Sequence, residues 1–301
     1  MRPCERVART IRGLAVDRVP RGELIIDPEF CCRALQTETF SFEVALQFWE
    51  LLQLDLVVLA EPNQQMHGAD LGGGELMGNI RCWRREMDYY IFALINGGFA
   101  RALASLGFQQ FMIGVRSKKN ALQEMIQRFT VDAVNEAKEA INAGAHSIII
   151  ADDIAYHKGT YLSPAHLREL YFSPLREQLE KLKAEAVPVF FHSDGNIDKV
   201  LPDLVNAGFS GLQGLEPNAG MNLAAVKAAY GKDLCLMGNV DLSLLDSHVP
   251  EEELRAAVYQ TMRAGKEGGR YIFGTCGGLH YELDVEQVLD MYRFALEFGK
   301  Y

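Results

Sequence analysis

The sequence predicts an α/β protein that folds as a (β/α)8 barrel. Short continuous apolar runs alternate along the chain with longer segments in which apolar residues recur three or four positions apart. This alternation is typical of buried parallel strands covered by amphipathic helices. Eight such runs favour a closed barrel, and no GxGxxG motif follows the first run, which argues against a dinucleotide-binding fold. Because barrels of this size are commonly one domain, we predict a single domain over residues 1–301.

The predicted elements follow one another in the order that such a barrel requires. The predicted strands cover residues 23–27, 54–60, 108–115, 146–151, 187–191, 208–215, 234–238 and 271–274. The predicted helices between them include residues 39–52, 121–143, 164–185, 197–207, 223–230 and 250–267. Ser163 with Pro164 is a typical helix start, and Gly144 is a typical helix end. Residues 1–24 and 63–89 fit neither pattern, and we predict that they are additions that cap the mouth of the barrel.

Composition and charge argue against several classes of function. The chain carries 40 acidic and 30 basic residues, for a formal net charge of −10, and it has no local basic stripe. A nucleic-acid partner is therefore not expected. The longest apolar runs are too short to cross a membrane, and the charged N-terminal stretch does not resemble a signal peptide. Six scattered cysteines without a CxxC pair indicate a reducing compartment, so we predict a cytoplasmic protein.

A ring of polar residues follows the predicted strands. In a (β/α)8 barrel the active site lies at the carboxyl ends of the strands. The polar residues at or just beyond those ends are Asp27, Glu61, Arg116, Asp152, Asp153, His192, Asp194, Glu216, Asn239, Asp241, Cys276 and His280. Helix capping explains some of the aspartates and the asparagine. It does not explain a histidine, a cysteine and several carboxylates together, so we predict a functional site at this end.

Three short stretches concentrate the chemistry of this ring. Residues 191–195 read Phe-His-Ser-Asp-Gly, residues 214–217 read Gly-Leu-Glu-Pro, and residues 274–278 read Gly-Thr-Cys-Gly-Gly. Each stretch follows an apolar run, so that His192 and Cys276 stand just past the ends of two predicted strands. If the strands are parallel, these side chains share one face and converge on a metal ion or a substrate.

The same stretches resemble those of the uroporphyrinogen decarboxylase superfamily, which includes corrinoid-dependent methyltransferases. The matching stretches, in chain order, are residues 5–7 (ERV), 16–20 (VDRVP), 151–153 (ADD), 163–164 (SP), 191–196 (FHSDGN), 214–217 (GLEP) and 238–241 (GNVD). The likeness covers nearly the whole chain and keeps the order of the elements. It implies the barrel fold and an enzymatic function.

The decarboxylase branch of this superfamily has a feature that this chain lacks. Decarboxylases carry an arginine-rich motif similar to RQAGRYxPEY near the N-terminus, whose cations bind the carboxylates of the substrate. The corresponding region, residues 16–23, reads VDRVPRGE and lacks the arginine pair. A polyanionic tetrapyrrole would meet an acidic mouth with little compensating charge. A decarboxylase is therefore the alternative, and the methyltransferase branch is favoured.

Resemblance to methylcobalamin:thiol methyltransferases implies a zinc site. Those enzymes bind zinc through a His-x-Cys pair and a distant cysteine, and His192 and Cys276 stand at the matching places. Asp194 replaces the middle cysteine, and Glu216 competes with it as the third ligand. Zinc accepts carboxylate oxygen. With one thiolate in place of two, the ion is a stronger Lewis acid, which suits a methyl group bound to oxygen or nitrogen better than a thiol acceptor.

Roles for the other residues follow from this resemblance. Asp152 or Asp153 is expected to be a general acid, because each has an acidic neighbour that disfavours ionisation of both. Asn239 and Asp241 are expected to orient the substrate or the metal ligands. The partners are a small methylated substrate and a corrinoid protein that brings the cofactor, because no DxHxxG-type corrinoid motif is present here. A non-catalytic barrel that binds a small ligand or a corrinoid partner is a further alternative, as is a metal-dependent hydrolase or lyase. The oligomeric state stays open.

Overall fold

The computed structural model describes residues 1–61 and 74–301. The strands in these ranges are β1 Leu56–Leu59, β2 Tyr90–Asn96, β3 Ser147–Ala151, β4 Ala155–Tyr156, β5 Gly159–Thr160, β6 Val189–Ser193, β7 Gly211–Gly214, β8 Cys235–Val240 and β9 Tyr271–Thr275. The α-helices are α1 Pro3–Ile11, α2 Pro28–Leu35, α3 Phe42–Leu51, α4 Leu76–Glu86, α5 Gly98–Ser117, α6 Lys119–Ala143, α7 Pro164–Leu167, α8 Ser173–Lys183, α9 Leu201–Ala207, α10 Leu223–Tyr230, α11 Glu251–Lys266 and α12 Val285–Phe298. Short 3-10 helices cover Asp198–Val200, Pro217–Ala219 and Leu242–Leu245, and a π-helix covers Arg168–Phe172.

Seven parallel strands form one sheet in the order β1-β2-β3-β6-β7-β8-β9. Consecutive strands of this sheet are neighbours throughout, and at least one helix separates each pair along the chain, as in a barrel. All five residues of β3, β6 and β9 are buried, because one face of each strand packs inside the sheet and the other packs under the helices. The α/β barrel architecture predicted from the sequence is confirmed. The remaining strands, β4 and β5, form a small antiparallel hairpin after β3.

The sheet is joined from β9 to β1 by an irregular segment. Arg21 forms a parallel bridge with Phe273 of β9, and its carbonyl accepts a hydrogen bond from Asp55 N at 2.8 Å, just before β1. Pro20 has no N–H to donate, and a Cβ on Gly22 would lie 2.3 Å from a carbon of Leu56. The segment therefore pairs through isolated bridges, and the continuous strand predicted at residues 23–27 does not form.

The strand predicted at residues 108–115 is wrong, since this segment belongs to helix α5. Its apolar residues Phe108, Phe111, Met112 and Val115 are spaced by three, four and seven positions from the first, which is helical spacing. The strand in this part of the barrel is β2, an apolar run in which six of seven residues are buried. This strand was not predicted, because it lies between the addition predicted at residues 63–89 and the strand predicted at residues 108–115.

The N-terminal helix closes the amino end of the barrel, opposite the mouth. Val7 and Ile11 of α1 pack into the barrel interior with Leu56 and Tyr90, which stand at the starts of β1 and β2. The prediction that residues 1–24 cap the mouth is therefore corrected, because the apolar face of α1 covers the interior from below. Helix α4 packs on β1, β2 and α6 as an ordinary barrel helix, and residues 63–73 of the second predicted addition lie outside the described residues.

No helix in the described parts of the chain is both long and apolar enough to cross a membrane.

Two buried carboxyl groups lie between the sheet and its helices. Asp152 is fully buried, and its carboxylate accepts hydrogen bonds from Ala100 N at 2.6 Å and from the Tyr171 hydroxyl. Glu23 accepts hydrogen bonds from the Tyr292 hydroxyl at 2.6 Å and from Thr275. Burial raises the pKa of each of these two carboxyl groups to about 7.

The free energy of unfolding is expected to fall as pH rises through this range. An aspartate whose folded pKa lies above its unfolded value of about 3.9 stabilises the fold only while it is protonated. As pH rises from 5 to 8, ionisation of Asp152 should therefore lower the free energy of unfolding by about 2–3 kcal/mol. Asp152→Asn keeps an acceptor for Ala100 and a donor for Tyr171, so it should remove this part of the pH dependence. Urea unfolding at both pH values measures it, with the exposed Asp233→Asn as the matched control that should change nothing.

Candidate metal centre

His192 stands near the end of β6 and is the most deeply buried residue of the site. Its ring shares a face of the strand with Phe190, which lines the barrel interior, and the residue is 1% exposed. In the parallel register it lies opposite Gln213 of β7. Its Nδ1 atom is 2.5 Å from Oε1 of Gln213, so one ring nitrogen is already occupied. The other nitrogen, Nε2, points towards the carboxyl end of the barrel.

Two aspartates meet the free ring nitrogen of His192. Oδ1 of Asp153 lies 3.8 Å from Nε2, and Oδ1 of Asp194 lies 3.9 Å from it. One donor atom from each of the three residues lies within 4.8 Å of the other two. The Asp194 amide donates to Oδ1 of Asp153 at 2.9 Å, which ties the two loops together. The aspartate side chains are 52% and 61% exposed, so a buried imidazole forms the floor and two open carboxylates form the rim.

The charges of this cluster favour a cation. The protein around the rim removes part of the water from the Asp194 carboxylate, although its side chain is partly exposed, and this desolvation raises its pKa. The neighbouring Asp153 and Glu216 raise the pKa further, and His192 opposes this shift. The donor atoms are an imidazole nitrogen and two carboxylate oxygens, a set that zinc accepts. Two ligands of tetrahedral zinc stand about 3.3 Å apart when each bond is about 2.0 Å. Each carboxylate therefore needs to approach Nε2 by about half an ångström, and the two carboxylate oxygens, within 4.8 Å of each other, need to approach by at most about 1.5 Å. Exposed side chains can make such movements, and the residues fit the ion.

A cavity of about 240 Å³ opens beside the cluster. Its lining residues are Leu24, Ile25, Asp27, His192, Asp194, Leu242, Gly277, Gly278, Leu279 and His280. One wall of the cavity is apolar. The polar side chains of Asp27 and His280 line the cavity together with those of His192 and Asp194. Drug-sized ligands occupy sites of about 300–1,000 Å³, so this cavity suits a smaller molecule.

Two further predicted metal ligands lie near the cluster but do not complete it. Oε2 of Glu216 accepts a hydrogen bond from the Gly195 amide at 2.9 Å. Cys276 is 6% exposed, and the Leu242 amide donates to its thiol. Burial raises the pKa of this thiol to about 12. Among the described residues, neither side chain joins a group of three donor atoms within 4.8 Å of one another. Both stay predictions.

The remaining predicted residues lie away from the cluster. Asp152, described above, faces the helix layer, whereas its neighbour Asp153 joins the cluster. Asn239 is buried and donates from Nδ2 to the Leu215 carbonyl at 2.7 Å. Asp241 accepts hydrogen bonds from the Ser243 amide and hydroxyl, at 2.9 and 2.6 Å, and from Asn218. In this structure both side chains hold loop backbone in place.

Sequence reasoning named Tyr156 as a candidate for a polar contact but missed Gln213 and the roles of Tyr161 and Phe108 at the rim. Gln213 is 1% exposed and is a polar residue within a buried strand, which was the available signal. Tyr156 and Tyr161 stack at a centroid distance of 5.6 Å, and Phe108 packs edge-on against Tyr161. Burial raises the pKa of Tyr161, and Asp153 and Asp194 raise it further, so the phenol stands beside the cluster.

Comparison with known proteins agrees with this architecture. The chain is similar to a methyltransferase from Methanosarcina mazei, with a TM-score of 0.78 and 19% identity over 99% of each chain. It is also similar to a B12-independent methionine synthase from Shewanella sp. W3-18-1, solved in complex with selenomethionine, with a TM-score of 0.50 and 16% identity. That match covers 73% of this chain and 65% of the other. At these identities the likeness shows a shared fold.

No curated protein sequence matches the chain. The sequence model of the uroporphyrinogen decarboxylase (URO-D) family matches residues 74–298, which is most of the barrel. The matched region includes the ends of β3 and β6, where the cluster lies. On this evidence the chain belongs to the uroporphyrinogen decarboxylase family.

Proposed function

We propose that this protein is a metal-dependent methyltransferase that moves a methyl group between a small methylated substrate and a corrinoid protein. The observation that carries the proposal is the convergence of Asp153, His192 and Asp194 at the mouth of the barrel. The similarity in fold to a methyltransferase supports it. The proposed metal is zinc, with Asp153 added to the predicted ligands His192 and Asp194.

In this proposal the chain holds the ion and the substrate side by side. His192 would hold the ion from the floor, and the two carboxylates would hold it from the rim and offset its charge. A bound zinc ion would supply Lewis-acid activation of the substrate atom that carries the methyl group. The apolar wall formed by Leu24 and Leu279 suits a methyl group, and Asp27 and His280 offer polar contacts to the rest of the substrate.

The donor atoms bear on the substrate class. A site built from one imidazole and two carboxylates gives the ion less electron density than a site with thiolates, so the ion is a stronger Lewis acid. This favours a methyl group bound to oxygen or nitrogen, such as a methoxy compound or a methylamine. The corrinoid is proposed to stay on its own protein, since a cavity of about 240 Å³ is too small for a corrin ring.

The charges of the cavity disfavour decarboxylation of a polyanionic tetrapyrrole. Among the residues that line it, Asp27 and Asp194 are acidic, and there is no lysine or arginine. Arg21, in the N-terminal region, is buried and donates to the Gln53 carbonyl, away from the cavity. Among the described lining residues, a substrate with several carboxylates would find no lysine or arginine to pair with.

Elemental analysis and a methyl-transfer assay test the proposal together. Anoxically purified protein should contain near-stoichiometric zinc, and it should form methylcobalamin from cob(I)alamin with a methoxyaromatic compound or a methylamine. Folded protein that takes up no zinc even when zinc is supplied would contradict the metal mechanism. Release of CO2 from uroporphyrinogen, without methylcobalamin formation, would establish the decarboxylase instead.

Asp153→Asn is expected to weaken zinc binding at least about 10-fold, whereas Cys276→Ser should leave it nearly unchanged. Asp153 presents a carboxylate oxygen to the cluster, and an amide is a poorer zinc ligand. The Cys276 thiol contacts the Leu242 amide, and among the described residues it joins no group of three donor atoms that could hold the ion. Competition with a chromophoric chelator measures the affinities, with Asp233→Asn as the control. Loss of zinc in Cys276→Ser with retention in Asp153→Asn would return the cysteine to the ligand set.

A further inference from the structure

We infer that Gln213 is a positioning residue that holds the His192 ring with its proton on Nδ1 and its lone pair on Nε2, ready for a metal ion. The inference starts from the second contact of the glutamine. Its side chain bridges His192 at 2.5 Å and the carbonyl oxygen of Cys276 at 3.3 Å. A carbonyl oxygen can only accept a hydrogen bond, so the amide nitrogen of Gln213 must face Cys276.

The orientation of the amide then decides the tautomer of the histidine. With its nitrogen towards Cys276, Gln213 presents its oxygen to His192, and an oxygen can only accept there. Nδ1 must therefore carry a proton, which leaves Nε2 as an acceptor in a neutral ring. Nε2 faces two carboxylates at 3.8 and 3.9 Å, so in the neutral ring three acceptors point at one space. A cation in that space satisfies all three.

Burial makes this arrangement rigid. Gln213 and His192 are each 1% exposed, so water cannot replace their mutual hydrogen bond. Both residues stand on adjacent parallel strands at paired positions, which fixes the distance between their backbones. Gly214 leaves room beside them, because a Cβ at that position would lie 3.7 Å from Nδ1 and 3.1 Å from the Ser193 carbonyl oxygen. The cluster thus has a second layer that reaches from β6 through β7 to the end of β9.

The position of the proton on His192 does not depend on the proposed function. Only its use, to leave Nε2 free for a metal ion, rests on that function. Nitrogen NMR of protein with 15N-labelled histidine rings therefore tests it first, on chelator-treated protein at pH 8. His192→Ala identifies the signal. The expected result for the wild type is a neutral His192 with the proton on Nδ1, and Gln213→Leu should lose this preference. A proton on Nε2 in the wild type would overturn the inference, whatever the metal content.

Zinc affinity provides the second readout. Gln213→Leu is expected to bind zinc 10–100-fold more weakly, because a partner that orients a metal-binding histidine typically contributes that much. Gln213→Glu restores an acceptor for Nδ1 and should recover most of the affinity. Gln178→Leu removes another buried glutamine, on α8, and should bind zinc as the wild type does. Equal affinities for Gln213→Leu and the wild type, or equal losses in the leucine and glutamate variants, would contradict the positioning role.

The two readouts separate this inference from the proposed function. Wild-type protein that binds no zinc but keeps the proton on Nδ1 would refute the metal mechanism and leave the role of Gln213 intact. Wild-type protein that binds zinc with the same affinity as Gln213→Leu would support the metal site and refute the positioning role of Gln213.

Discussion

Replacing His192 by alanine is expected to remove the bound zinc and to slow methyl transfer at least about 10³-fold. His192 supplies the nitrogen donor of the cluster and is its buried member, so no nearby water or side chain can take its place without rearrangement. Lewis-acid activation by a metal contributes several kcal/mol to a transition state, and about 4 kcal/mol corresponds to this factor. Elemental analysis gives the zinc content, and the rate of methylcobalamin formation gives the activity.

Two comparisons make the His192→Ala result specific. His248→Ala removes an exposed histidine whose backbone amide donates to Asp246, and it should keep both zinc and activity. Asp194→Asn preserves the shape of the rim but removes a charge, so it should bind zinc more weakly than the wild type and more tightly than His192→Ala. Full zinc content in a folded His192→Ala protein would place the metal elsewhere and remove the basis of the proposed mechanism.

The fold could largely be predicted from the sequence because its strands are buried on both faces. A strand under helices is apolar throughout, and β3 and β6 were found for this reason. The same signal misled at residues 108–115, where aromatic and branched residues suggested a strand but their spacing was helical. The closure at Arg21 could not be predicted, because it consists of one bridge to β9 and a hydrogen bond from Asp55.

The site was partly accessible from the sequence for a similar reason. Side chains alternate between the two faces of a strand, so Asp152 and Asp153 must face opposite ways where β3 ends. Inward-facing Ile149 and Ala151 place Asp153 on the side of the barrel interior, which this alternation alone would have indicated. The placement of Asn239 depends on a carbonyl of another strand, and sequence spacing carries no information about such a contact.

Asp55→Ala is expected to destabilise the protein by about 3–5 kcal/mol, the largest effect on stability that we predict. Asp55 is fully buried just before β1 and receives hydrogen bonds from Arg6 at 2.5 Å, from Arg18 at 2.6 Å and from the Arg21 amide at 2.9 Å. These contacts join α1 and the closing segment to the amino end of the barrel. Alanine would leave two guanidinium groups facing a space without a counter-charge. Arg6 keeps its ion pair with Asp17, whereas Arg18 keeps only uncharged partners among the described residues, the carbonyl oxygens of Val19 and Gln53.

Thermal unfolding measures this effect, and metal content shows that it is confined to one end of the barrel. A loss of this size should lower the melting temperature by more than about 6 °C. Glu297→Ala breaks an exposed ion pair with Arg255 and should leave the melting temperature unchanged within error. Because the metal cluster lies at the opposite end, folded Asp55→Ala protein at low temperature should still bind zinc at the wild-type stoichiometry. An unchanged melting temperature would mean that water or rearrangement compensates the two arginines, and that the closure of the barrel depends on the apolar face of α1 instead.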